Sequence, residues 1–422
     1  MWLTALLLTF ISLSFSLGLE DLISSALEKN PKVSSKGYAI ESAKLKLKGT
    51  EQLYYPEFFA GYRYSVQSES QSISIPAPGG FPSFDFRSSK RNYQSLQLGL
   101  RQVLYDGGFR SSRVDISRVQ LRISEEDYEE TLLEVKLEVI KAYFSVLSAL
   151  ELLEVVKKQK EAVEADLVQR EAFFREGLVA ITDVLQAKVR LAEVQRDLRE
   201  AEGNYRIAIA NLSRLTGIEE EKLKTLKPAD IKPDLPDLGE LINTTMEKRP
   251  AIKTLREKIL LLQAQRKMEV SQVYPKVFVE ALYNYTDQNP TLSPKGFFVF
   301  NVGLSLNIQS LSNYYNALAL VQEEKSAKED LRDIQQVITL RVKSAYENFL
   351  TAQDNLRVAE ESVKFAEEFY RLSLEQYRNQ IISGTDLLQA EASRTQALRS
   401  KVIAYYKLLE AYFELLREVG KL

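Results

Sequence analysis

Two stretches of this chain, from Phe109 to Glu176 and from Leu304 to Ser383, contain neither glycine nor proline. Nothing in them interrupts a helix, and at the rise of an α-helix the first alone predicts a rod of about 100 Å. A compact domain cannot enclose such a rod, so the fold must be organised around elongated helices. Their apolar spacing shows how they pack. Tyr128, Leu132, Val135, Val139, Ala142, Val146, Ala149, Leu153 and Val156 step by alternating fours and threes. Ile338, Val342, Ala345, Phe349, Ala352, Leu356, Ala359, Val363, Ala366 and Tyr370 repeat the rhythm. This is the seven-residue seam of a coiled coil, in which small alanines permit close approach. A further row, Leu133, Leu137, Ile140, Phe144 and Leu147, flanks the first seam and equips that helix for neighbours on two sides. Taken alone, the heptads fit a simple two-stranded coiled coil.

The same order of features occurs twice. Asn30-Pro31 precedes a helical stretch ending at Tyr54-Tyr55-Pro56, and Arg249-Pro250 precedes one ending at Val273-Tyr274-Pro275, with equal spacing between the prolines. Further on, Leu178 to Ala187 matches Ile381 to Ala390, where six of ten pairs are identical or exchange only Val for Leu. Duplication is the economical reading. Between the halves, Pro228, Pro233, Pro236 and Pro250 suit an extended strap with short helical pieces. The expected organisation is a leader at 1–18, then a first repeat at 19–215 with a β-hairpin at 56–106 and a helical hairpin at 107–215. A linker at 216–250 leads to a second repeat at 251–422, with a β-hairpin at 275–310 and a helical hairpin at 311–419.

Within each repeat the apolar period changes from seven to two. Phe58, Ala60, Tyr62, Tyr64 and Val66 alternate with Phe59, Gly61, Arg63, Ser65 and Gln67, and Leu96, Leu98 and Leu100 alternate with Gln97, Gly99 and Arg101. In the second half the apolar positions are Val277, Val279, Ala281, Tyr283 and Tyr285, then Phe300, Val302, Leu304, Leu306 and Ile308. Each set predicts a strand with one apolar and one mostly polar face. Polar connections from Glu69 to Asn92 and from Thr286 to Gly296 join them into two hairpins. Strands of about 9–11 residues suffice to cross a bilayer when tilted, although the alternation also fits the edge of a soluble sandwich. Four spanning strands cannot close a barrel, and lipid does not tolerate open sheet edges. A barrel must then be shared, with two chains supplying about eight strands or three supplying about twelve.

Composition removes most chemistry. The chain has no Cys and no His, hence no disulfide, no thiolate nucleophile, no imidazole base and no zinc site of the usual kind. Carboxylates remain, but they lie mainly in helical runs beside Lys and Arg, as on a solvated face. No enzyme, cofactor or metal centre is expected. With 56 basic and 58 acidic residues, the chain has no field to hold nucleic acid. From Met1 to Ser16 an apolar run meets the small residues Ser14, Ser16 and Gly18, which reads as a signal peptide. No Lys or Arg follows Met1 directly, so an uncleaved anchor is the alternative. No other stretch is long enough for a spanning helix, and a membrane would be crossed by strands.

Three features carry a family resemblance. They are the junction Gln102-Val103-Leu104-Tyr105-Asp106-Gly107-Gly108-Phe109-Arg110, the two helical-hairpin tips, and the duplicated order of helix, β-hairpin and helical hairpin. In these the chain resembles the TolC family of outer-membrane efflux proteins over essentially its whole length after the leader. The resemblance implies an α+β membrane protein, a homotrimer in which a 12-stranded transmembrane β-barrel continues into a long periplasmic coiled-coil tube. It implies an exit duct for drugs, other small molecules or secreted proteins, docked to a periplasmic adaptor and an inner-membrane pump of the RND or ABC class. A periplasmic adaptor or structural coiled-coil protein outside the membrane is the competing reading.

Residue roles follow at matching positions only. Asp106, Gly107 and Gly108 match the turn from barrel to tube, and Asp386 an aspartate ringing the entrance. Thr182 and Asp183 match polar partners of a tyrosine on the neighbouring hairpin, which corresponds to Tyr377, together forming a latch. Ordinary helix capping is the alternative role for Thr182 and Asp183. Gly177, Leu178 and Val179, with Ile381, Ile382 and Ser383, lie where adaptor tips would seat. Ile382 stands where the family's gate has an arginine and Gln389 where it has a second aspartate, which implies a weaker or differently built latch.

Overall fold

The computed structural model describes residues 17–228, 231–306, 310–379 and 381–422. The leader segment up to residue 16, and the expected strand positions Asn307 and Ile308, lie outside them. Helices α1 (Leu19–Lys29) and α2 (Pro31–Glu51) lead through a short 3-10 turn to strand β1 (Glu57–Val66). Strands β2 (Ser72–Ile75), β3 (Phe84–Arg87) and β4 (Asn92–Tyr105) precede the helical hairpin α3 (Phe109–Arg175) and α4 (Ile181–Thr216). Helices α5 (Glu220–Leu223) and α6 (Leu238–Lys248) occupy the expected strap. The second half runs α7 (Pro250–Ser271), β5 (Lys276–Thr286), β6 (Gly296–Ser305), α8 (Ser310–Arg378) and α9 (Gly384–Val419). Among the described residues no helix is long and apolar enough to cross a membrane.

Compactness divides the chain differently from its repeats. One unit takes residues up to Tyr38, Glu126–Lys253 and Asp333–Leu422, and the other takes Ala39–Glu125 and Thr254–Arg332, so each draws on both halves. The second unit holds a four-stranded antiparallel sheet in the order β1-β4-β5-β6. Its register sets Phe58, Leu100, Ala281 and Phe300 side by side in one row. On that face Phe58, Tyr62, Tyr64, Val66, Phe298, Phe300, Val302 and Leu304 are all exposed. The opposite face carries the Arg101–Glu280 ion pair at 3.3 Å. It is less polar than the alternation suggests, because the rings of Phe59 and Phe278 lie directly over Gly99 and Gly303. β1 and β6 are left as open edges. The connection expected as a plain loop from Glu69 to Asn92 instead contains a ribbon of its own, β2 paired with β3.

The first unit is helical, and the heptads account for its interior. Val135, Val139, Ala142, Val146, Leu153 and Val156 of the α3 seam are buried, as are Ile338, Val342, Phe349 and Val363 of α8. Burying each of the Val, Ile, Leu and Phe side chains stabilises the packing by about 1.5–3 kcal/mol. The flanking row on α3 is also used: Ile140, Phe144 and Leu147 join α1, α4, α5 and α9 in one cluster around Leu22, Leu212, Leu223 and Leu409. On α8 a second row, Val358, Phe365, Phe369 and Leu372, is exposed. Its steps of seven, four and three continue the heptad rule on a face that no element covers among the described residues. α1 and α6 extend the duplication to the residues before the paired prolines. Leu19, Leu22, Ile23, Glu28, Lys29 and Pro31 recur as Leu238, Leu241, Ile242, Glu247, Lys248 and Pro250.

Candidate gate and junction

Two places carry the residues that the sequence singled out. In the sheet-bearing unit β4 must turn into α3 within three residues, and Asp106 organises that turn. Its carboxylate accepts hydrogen bonds from the Gly108 N–H at 3.1 Å, the Arg110 N–H at 3.1 Å and the Arg110 Nε at 2.7 Å. Arg110 also donates to the Val103 carbonyl at 2.9 Å, tying the first turn of the helix to the end of the strand. The side chains of Asp106 and Arg110 are 9% and 11% exposed, so the pair is shielded from solvent screening. Gly107 and Gly108 both have positive φ, 66° and 91°. A Cβ on Gly107 would stand 2.5 Å from the Tyr274 Cβ and 2.8 Å from the Ser271 carbonyl oxygen. The signature therefore combines a backbone that only glycine adopts easily, a close approach of α7, and an aspartate capping the new helix.

The helical unit contains both hairpin tips. Asp183 and Asp386 hold equivalent places as third residues of α4 and α9 and each reaches back to the residue before its helix, but only at α9, where the Ser383 hydroxyl accepts the Asp386 N–H, is the capping box reciprocal. Asp183 accepts the Ala180 N–H at 3.3 Å, and Asp386 accepts the Ser383 N–H at 3.1 Å and its hydroxyl at 2.7 Å. Capping is thus a role both aspartates play within one chain. The Ser383 hydroxyl, then its N–H, holds the exposed Asp386 carboxyl below the usual carboxylate range, so it stays ionised at neutral pH. Thr182 and Thr385, equivalent residues of the two tips, line one cleft of about 470 Å³. Leu178, Ile181 and Ile381 are exposed at 55%, 49% and 70%, while Val179 and Ile382 are half-buried and Gly177 and Ser383 are exposed.

Tyr377 meets a partner that sequence reasoning missed. The Arg170 guanidinium lies 5.5 Å from its ring centroid, donates from Nε to Asp166 at 2.7 Å and from Nη2 to the Gly384 carbonyl at 3.3 Å, and is fully buried. Burial pushes the Tyr377 hydroxyl above its ordinary pKa, with Arg170 opposing and the carboxylates of Asp166 and Asp183 adding to the rise. Asp183 and Tyr377 therefore share one electrostatic neighbourhood, with Arg170 beside them. Only the unusual glycine at the start of α9, where the first repeat has Ile181, signalled this arrangement.

Glu391, further along α9, is buried near Arg190 of α4 at 3.8 Å. Burial raises its pKa, opposed by Arg190, a Gln159 hydrogen bond and Arg394, and reinforced by Asp166. Tyr370 of α8 is also near it, and burial, then Glu391, pushes that hydroxyl up. A carboxyl that keeps its proton more tightly when packed contributes most below the ordinary value of about 4.3 and loses that contribution as pH rises through its raised value. Glu391→Gln is expected to flatten thermal stability over that window and to raise it at neutral pH. An unaltered pH slope would count against the assignment.

The family model described as outer membrane efflux protein matches residues 22–218 and 241–421. The outer membrane protein TolC of Vibrio cholerae is 27% identical over 277 residues, 61% of this chain and 60% of that protein. TolC of Escherichia coli is 28% identical over 189 residues, 43% of this chain and 38% of the relative. The matches thus span less than two thirds of either relative. Among solved structures, the outer-membrane channel OprN superposes with a TM-score of 0.78 at 17% identity, covering 96% of this chain and 90% of that one. The outer membrane protein VceC of Vibrio cholerae gives 0.78 at 16%, covering 95% and 96%.

Proposed function

We propose, given that this chain belongs to the outer membrane efflux protein family, that three copies close their strands into one barrel in the outer membrane and form an exit duct. The observation that carries this reading is the sheet: four strands of 10, 14, 11 and 10 residues with one exposed apolar face and two open edges. Lipid satisfies the apolar face but not the edges, whose N–H and C=O groups need a neighbouring chain. The exposed row on α8, from Val358 to Leu372, calls for a neighbour in the same way. A coiled-coil protein that never enters the membrane has no use for such a sheet, and membership of this family sets that alternative aside.

Such a duct catalyses no reaction; it conducts. Its helical tips, with Leu178 and Ile381 exposed, would receive a periplasmic adaptor, and an inner-membrane pump of the RND or ABC class would supply the energy. Drugs, other small molecules or secreted proteins would pass. Three copies of the ionised Asp386 would make the entrance attractive to cations. Planar-bilayer recording of the purified oligomer tests this. Small cation-selective openings are expected, and Asp386→Ala should lose most of the selectivity. A correctly assembled oligomer with anion-selective or unselective openings, unchanged by the substitution, would remove Asp386 from the entrance.

A further inference from the structure

We propose that Arg170 is an intrachain clasp that holds the entrance shut by tying the second helical hairpin to the first, so that opening requires its release. This rests on the duct reading above. Arg170 projects from the last turns of α3, yet it engages both limbs of the other hairpin. Its Nη2 donates to the Gly384 carbonyl at the first residue of α9, and its guanidinium lies over the Tyr377 ring near the end of α8. Asp166, one turn earlier on α3, fixes the guanidinium through Nε at 2.7 Å. The charge is therefore anchored on one hairpin and spent on the other, across the surface along which the two would part.

Two observations show that the site is shaped for this arginine. Gly384 leaves the space its hand occupies, since a Cβ there would stand 2.4 Å from Nη1. The first repeat has Ile181 in the equivalent place, so the glycine is not required by the hairpin turn itself. Among the described residues Nη1 is buried without a hydrogen-bond partner. An unsatisfied donor offsets part of the strength of the other contacts, so the clasp holds the tip without making the closed form irreversible.

The test uses the full-length oligomer in planar bilayers. Losing a charge-assisted hydrogen bond and a ring contact should shift the closed–open equilibrium about tenfold or more toward open, so Arg170→Ala and Gly384→Ala are both expected to raise open probability by that factor. Because the chain has no cysteine, Arg170→Cys with Gly384→Cys gives a unique pair that a short bis-methanethiosulfonate spacer can bridge, forming a disulfide at each thiol with loss of sulfinate. The unbridged pair should conduct like Arg170→Ala, bridging should close it, and reductant should reopen it. Should Arg170→Ala fail to assemble, the bridged pair decides alone. Conduction indifferent both to Arg170 and to the bridge overturns the clasp while leaving the duct in place. An assembled oligomer in which neither the wild type nor any variant conducts overturns the duct reading itself.

Discussion

Gly107→Ala is expected to abolish the assembled, membrane-inserted form of the protein. The substitution forces a side chain into left-handed backbone at φ 66°, a conformation costing about 1–2 kcal/mol for an L-residue. It also drives the new methyl against the Tyr274 Cβ at 2.5 Å and the Ser271 carbonyl oxygen at 2.8 Å. Neither is the free end of a flexible side chain, so α7 and the start of α3 must separate. Overpacking of this kind adds about 1–3 kcal/mol or more. Gly108→Ala is the control: its φ is 91°, but the nearest atom to an added Cβ is the Ser111 hydroxyl oxygen at 3.5 Å. It should pay only the conformational cost. Heat-resistant oligomer on gels, scored for both variants, separates the two contributions. Equal losses would show that backbone conformation alone matters there.

Arg249→Ala should cost the helical unit about 3–5 kcal/mol, the usual penalty for removing one partner of a buried ionic cluster. Arg249, between α6 and α7, is 2% exposed and donates from Nη2 to Glu130 at 3.1 Å and from Nη1 to the Arg417 carbonyl. Arg417 reaches the same Glu130 oxygen at 3.0 Å, and Glu418 lies 3.8 Å from the Arg249 Nη2. Burial pulls the Arg249 pKa down, with Glu130 opposing, but it remains a cation at neutral pH. Without it the carboxylates of Glu130 and Glu418 lose the most buried of the arginines they face inside the packing. Denaturant unfolding should show the loss, and Glu130→Gln added to Arg249→Ala should recover part of it. A double variant no more stable than Arg249→Ala would mean that lost packing, not the stranded charge, sets the cost.

The errors of the sequence reading have physical reasons. The β2–β3 ribbon escaped notice because Ile73 and Ile75, then Phe84 and Phe86, alternate over only four residues each. Pro76, Pro78, Gly79, Gly80 and Pro82 between them carry the composition of a loop. The supposedly polar sheet face bears Phe59 and Phe278 because a ring on one strand covers the glycine on the next, a pairing visible only once register is known. Arg170 escaped because an arginine in a charged helical run reads as solvated. Its burial depends on where Gly384 stands in space, about two hundred residues later in the chain.

Periodicity by itself determined the long helices, the buried seams and the four long strands, because each of these is a rule about neighbours three, four or two residues apart, and the doubling of the chain followed from matching segments in its two halves. The resemblance to the family followed from the motifs at the junction and the tips together with the duplicated order of elements. Only the tertiary structure decided which cations are buried, which carboxylates cap rather than pair, and which of the two apolar rows on α3 and α8 find cover inside one chain. Those outcomes depend on groups far apart in sequence meeting in a shared low-dielectric interior, where the energy of a charge is set by what surrounds it rather than by what precedes it.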